Sequence, residues 1–200
     1  MADPIDIPLF PLRTVLFKDG HLPLRIFEPR YVDMVRHCLR EDSGFGVVLI
    51  REGHEAQVDD RFELPKVFQV GTEARIVDFN QLNDGLLGIV AKGHRKFRLI
   101  ESWVKDDLLI MGRVEFLADE PSADMPVEHE DLVTILKELV QHPLIQKLDL
   151  DIDFADARSV SCRLAELLPI EPEIKQSLLQ LNWPKERLAE LNRLVHKLRS

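Results

Sequence analysis

The chain has 200 residues, 45% hydrophobic and 30% charged, with a formal net charge of −9; this suits one or two globular domains and excludes a disordered chain. No stretch approaches the roughly 18 apolar residues of a membrane span, and the opening Met-Ala-Asp-Pro-Ile-Asp has neither the basic nor the apolar region of a signal peptide. Two cysteines, Cys38 and Cys162, make no disulfide framework, so a cytoplasmic location is expected.

The first predicted element is a helix. Tyr31, Met34, Val35, Cys38 and Leu39 recur at helical spacing, Pro29 suits the first turn, and Gly44 stands where a helix stop belongs. Short apolar runs broken by glycine follow, as in strands: Gly46–Ile50, Ala74–Val77, Leu86–Val90, Phe97–Ile100 and Ile110–Val114. Asn83-Asp84-Gly85 is a strong hairpin signal and Lys92-Gly93-His94 a weaker one. Such strands suggest a small barrel or sandwich.

Pro and Gly punctuation near 118–127 divides the chain into 1–118 and 119–200. Beyond it the period changes to 3.6. One stripe holds Leu132, Ile135, Leu136, Leu139 and Val140, ended by Pro143; a second holds Ala157, Val160, Ser161, Leu164 and Leu168, ended by Pro169. Ile174, Leu178 and Leu181 give a short third, and Pro184 opens a fourth with Leu188, Leu191, Leu194, Val195 and Leu198. Amphipathic helices this closely spaced are expected to form a bundle. The charge is unevenly placed: residues 1–118 carry −3, 119–156 carry −9 and 157–200 carry +3.

Searches for chemistry return little. There is no phosphate-cradling Gly-x-x-x-x-Gly-Lys-Ser/Thr, no Gly-x-Gly-x-x-Gly and no Gly-x-Ser-x-Gly elbow. His129-Glu130 and His54-Glu55 lack the second histidine, four residues on, of a helical zinc site. Asp149, Asp151 and Asp153 resemble the start of a calcium loop, but Phe154 stands where that loop needs glycine and Val160 where it needs glutamate. An extended linker with Asp153 as helix N-cap is the favoured reading. Cys38 reads as a core residue; the burial of Cys162 stays open. No catalytic residue, metal or cofactor is assigned. Lys92, Arg95, Lys96 and Arg98 form the one dense basic stretch. They are read as a hairpin turn plus edge strand guarded by charge, or alternatively as a nucleic-acid contact. Net acidity argues weakly against nucleic acid.

The segment Ile7-Pro8-Leu9-Phe10-Pro11-Leu12-Arg13-Thr14-Val15-Leu16-Phe17, leading to Leu22-Pro23-Leu24-Arg25-Ile26-Phe27-Glu28-Pro29-Arg30-Tyr31, resembles the opening of the Lon protease N-terminal, or substrate-binding, domain family. Val70-Gly71-Thr72-Glu73-Ala74-Arg75-Ile76 with Gly93-His94-Arg95-Lys96-Phe97-Arg98-Leu99 is a second match, and Leu168-Pro169 through Leu181 to Leu188 a looser third. The resemblance implies an α+β chain: a PUA-like β-barrel of about six strands with one helix, followed by an α-helical bundle. In the full-length proteases this domain helps recognise unfolded or tagged protein and precedes ATPase and protease modules. A freestanding copy is expected to be a non-catalytic binding module for unfolded polypeptide or a partner protein. Phe10, Leu12, Phe17, Phe27 and Tyr31 are the candidate peptide contacts, with core packing the competing reading for most of them. Glu28 is placed to cap the helix, and Arg25 or Arg30 to pair with it.

Overall fold

In the computed structural model, which describes residues 3–54 and 63–199, the chain divides into two units, Met1–Ala118 and Asp119–Ser200. Glu55 of the His54-Glu55 pair lies outside the described residues. The first unit runs β1 (Ile5–Leu12), β2 (His21–Ile26), α1 (Pro29–Arg40), β3 (Phe45–Glu52), β4 (Lys66–Val67), β5 (Val70–Gln81), β6 (Leu87–Val104) and β7 (Ile110–Phe116).

β1 pairs with β7 and then β6, β5 and β3 follow in order; β3 pairs back onto β1 in parallel, so the pairings return to their start. β2 lies beside β6. β1 splits its length between neighbours: Ile5 to Pro8 face β7, and Leu9 to Leu12 face β3. Pro8 and Pro11 therefore each sit where the strand has a single partner, which tolerates a missing N–H.

Two apolar clusters use the two faces of these strands. Ile7 and Leu9 join Val48, Phe97, Leu99 and Val114. Phe10 and Leu12 join Val47, Phe45, Tyr31, Met34 and Ile89. A strand buried on both faces reads as an unbroken apolar run, as Gly46–Ile50 does. Gly71 has no side chain because Phe97 fills the space; a Cβ there would lie 2.6 Å from Phe97 Cζ and from the Val47 carbonyl oxygen.

Several sequence expectations need correction. Lys92-Gly93-His94 is not a turn. The runs 86–90 (from Leu87 on), 92–98 and 97–100 belong to one 18-residue strand, β6, so the basic stretch lies inside the sheet rather than on a hairpin. Gly93 is required by the segment crossing it: Asp19 N donates to Gly93 O at 2.8 Å, Gly93 N donates to Gly20 O at 2.9 Å, and a Cβ would strike the Phe17 carbonyl. Helix α1 ends through Asp42, in the left-handed region at φ 46°, while Gly44 lies beneath the Ala74 carbonyl at the start of β3. Glu28 occupies the N-cap position but makes no side-chain cap; its carboxylate pairs with Arg30 at 2.7 Å. Arg25 pairs with Asp84 instead.

The second unit holds a short 3₁₀ turn (Val127–His129) and helices α2 (Glu130–Leu139), α3 (Pro143–Gln146), α4 (Ala157–Leu167), α5 (Pro172–Gln180) and α6 (Pro184–Arg199). Pro143 opens the unforeseen α3 as well as ending the stripe before it. α4 is the hub, packed against α2, α5 and α6. Leu132, Leu136, Val160, Leu164, Leu178, Leu188 and Leu191 are buried, whereas Leu198 is exposed. The N-cap of α4 is Asp156, which accepts from Arg158 N at 3.0 Å; Asp153 accepts from Ala155 N and shapes the turn before it. Cys162 is buried, its sulfur 3.3 Å from Arg187 Nη1.

Candidate functional site

The five candidate peptide contacts separate sharply by exposure. Phe10, Leu12, Phe17 and Tyr31 are core residues, none more than 8% exposed. The Phe10 and Tyr31 rings lie 4.1 Å apart, and the Arg30 guanidinium covers the outer side of Tyr31 at 4.6 Å. Only Phe27, directly after β2, is at the surface, with 60% of its area exposed. Two apolar residues of β5 outside the five candidates, Val77 and Phe79, are comparably exposed. Register places them together: Phe79 pairs with Ile89, which pairs with Leu24, and Gln81 pairs with Leu87, which pairs with Ile26. Phe27 and Phe79 thus stand at the same end of the adjoining strands β5, β6 and β2. The strand period alone could not reveal this, because the bulge between Ile76 and Asp78 resets which side chains face out.

The basic stretch is largely spoken for by local carboxylates. A second bulge sets one β5 residue, Glu73, against two β6 residues, His94 and Arg95. His94 Nδ1 and Arg95 Nε lie 3.0 and 2.9 Å from Glu73 Oε2. Burial would raise the Glu73 pKa, but the hydrogen bonds from Arg95 and His94 outweigh it and hold the carboxylate below its usual range. Arg95 also stacks on Phe116 at 3.7 Å. Lys92 lies 3.4 Å from Asp19, and Arg98 3.9 Å from Glu115. Lys96 is buried. Among these residues Arg98 is the most open to solvent, so the stretch presents interleaved pairs rather than a uniform basic face. In sequence, Glu73 is one of several polar residues of β5, so nothing local marks it as the hub.

In the second unit, a cavity of about 590 Å³ opens between α5 and α6. Ile174, Leu178, Leu181, Ala189 and Leu194 give it an aliphatic lining, and Glu186, Glu190 and Arg193 stand at its charged side. Of the stripes named from sequence, Leu188, Leu191 and Val195 turn into the core, whereas Ile174, Leu178, Leu181 and Leu194 line the cavity. On α4, Arg163 is buried and pairs with Glu166, and Lys175 Nζ of α5 donates to the Glu166 carbonyl at 2.6 Å. Burial pushes the Glu166 carboxyl up to about 6 against the pull of Arg163 and Lys175, and burial also lowers the Lys175 pKa. Among the described residues no three His, Cys, Asp or Glu side chains are grouped to hold a metal ion, and no helix is long and apolar enough to cross a membrane.

Comparison with known proteins follows the same lines. The model of the ATP-dependent protease La (LON) substrate-binding domain matches residues 6–197. The solved structure of a Lon N-terminal domain protein from Xanthomonas campestris superposes with a TM-score of 0.76 and 36% identity, covering 94% of this chain and 98% of that one. The N-terminal domain of Mycobacterium avium complex Lon protease, at 16% identity and a TM-score of 0.56, shares the fold over 94% of this chain and 96% of its own. Lon protease 1 of Bdellovibrio bacteriovorus is 28% identical over 193 residues, covering 92% of this chain. The chain spans only 24% of the length of that protease. With a model matching nearly its whole length, the chain belongs to the LON substrate-binding domain family.

Proposed function

We propose that this chain is a non-catalytic module that holds polypeptide in the cytoplasm, presenting unfolded segments or a partner protein rather than cleaving them. The observation that carries the reading is the family match over residues 6–197. The exposed apolar side chains Phe27, Val77 and Phe79, on β5 and the end of β2, support it, because large apolar groups held at the surface favour contact with apolar segments of another chain. Phe27 is the one of the five candidate contacts that remains in this role. The circuit of strand pairings from β1 through β7, β6, β5 and β3 back to β1 is read as a small PUA-like barrel, which would hold these residues on rigid strands.

The test is retention of a chemically unfolded reporter protein on the immobilised chain, with the folded reporter as control. Selective retention of the unfolded form, reduced several-fold by Phe27→Asp with Phe79→Asp, is the expected result. Equal retention of both forms, or of neither, would overturn the reading.

A further inference from the structure

The cavity between α5 and α6 lies on the second unit and has no part in the strand surface described above. Its shape follows from helical spacing. Leu188, Leu191 and Val195 turn one stripe of α6 into the core, and Glu186, Ala189, Glu190, Arg193 and Leu194 follow on the adjoining shoulder. From α5, Ile174, Ser177 and Leu178 supply the opposite wall at the same i, i+3, i+4 spacing. The result is a concave aliphatic surface of about 590 Å³, large enough for several aliphatic side chains.

Its charge narrows the occupant. Glu186 and Glu190 are four residues apart on one helix face, where like charges repel. Arg193 answers Glu190 at 3.0 Å. Glu186 is exposed, and its side chain makes no hydrogen bond or ion pair among the described residues. An anionic occupant, such as a fatty acid, would set its own charge against that carboxylate. A cation beside an aliphatic run would complement both features. We propose that the α5–α6 cavity binds a short polypeptide segment in which two or three aliphatic side chains adjoin a Lys or Arg whose charge meets Glu186. This rests on the polypeptide-binding reading and adds a second contact with a stated preference.

The test is fluorescence anisotropy on the full chain with two labelled dodecapeptides, identical except for Lys or Glu beside a Leu-Ile-Leu run. The Lys peptide is expected to bind about fivefold more tightly, the scale of one exposed ion pair. Glu186→Lys, a change at an exposed side chain, should reverse the order. Ala189→Arg, which fills the cavity, should abolish binding of both peptides, with an unchanged thermal melt showing that the helices are intact. If the two peptides bind equally to the native chain and to Glu186→Lys, or if Ala189→Arg leaves binding unchanged, the cavity is not the site. Selective retention of the unfolded reporter would then leave the broader reading standing, whereas loss of retention as well would overturn both. A self-association that Ala189→Arg dissolves, with neither peptide bound, would overturn the proposal in favour of a second copy of this chain.

Discussion

The Arg187 guanidinium grips both carboxylate oxygens of Glu120, Nη1 to Oε2 at 2.8 Å and Nη2 to Oε1 at 2.5 Å, with the arginine fully buried. The same side chain donates to the carbonyls of Leu178 and Leu181 and to Ser161 Oγ, so one residue of α6 ties together the entry segment, α4 and the end of α5. Burial works against the charge, but Cys162 and Glu120 outweigh it and raise the Arg187 pKa. A buried fork of this kind is costly to break from one side, because the remaining charge has lost its partner. Glu120→Ala should therefore lower stability by about 3 kcal/mol in urea unfolding. Glu190→Ala, which removes an exposed pair with Arg193, should cost less than about 1 kcal/mol in the same measurement.

Phe27 and Tyr31 stand four residues apart and should behave oppositely. Tyr31→Ala and Phe10→Ala open space in a core where the two rings touch, and each should cost about 3–5 kcal/mol. Phe27→Ala changes an exposed side chain and should shift stability by less than about 0.5 kcal/mol while reducing retention of unfolded polypeptide. Thermal melts and the retention assay, run on the same three variants, separate the two roles.

Two glycines provide a matched comparison. Gly85, at φ +82° with open space around it, should lose about 1 kcal/mol on change to Ala through backbone strain alone. Gly93→Ala must push a Cβ into the Phe17 carbonyl and displace the segment that bonds Asp19 and Gly20 to β6, so its cost should be the larger of the two. Comparing the two denaturation midpoints checks the order.

Glu166 gives a pH dependence of definite sign. Its carboxyl titrates near 6 in the fold against an ordinary 4.5, although 16% of its side chain reaches solvent. Between those values the folded state holds more protons than the unfolded one, so this residue's contribution falls as pH rises from 4.5 to 6 and is level above that. The loss amounts to about 2 kcal/mol. Glu166→Gln removes it, and the stability difference between the variant and the native protein should grow in the variant's favour across that window. Denaturant midpoints at four pH values from 4 to 7 would show it.

Much of this was legible in the chain. Of the α1 stripe, Tyr31, Met34, Val35 and Cys38 are buried and Leu39 is exposed, and the Asn83-Asp84-Gly85 turn does join β5 to β6. The two misassigned glycines share one physical cause. Glycine at 44 and 93 was read as punctuation, yet both positions lack a side chain because backbone from elsewhere passes close by. Such an approach is tertiary and leaves no local signal. The same holds for the Glu73 hub, which needs a bulge between β5 and β6 to bring His94 and Arg95 to one carboxylate. Asp153 and Asp156 both suit a helix start; Asp156 is the one that accepts from Arg158 N at the head of α4, and it also accepts from Ala123 N.

β1 pairs through Ile5 with Val114, across more than a hundred residues, and through Phe10 with Val47. During synthesis, at about 5–20 residues per second, the first half of that strand waits several seconds to tens of seconds for β7 to exist. Ile5 and Ile7 lack their β7 partners for that interval. Pro8 and Pro11 interrupt the run of donors that a neighbouring nascent chain would otherwise capture. The prolines that fit β1 between two half-length partners therefore also withhold two of the donors by which a second strand would capture an unpaired β1.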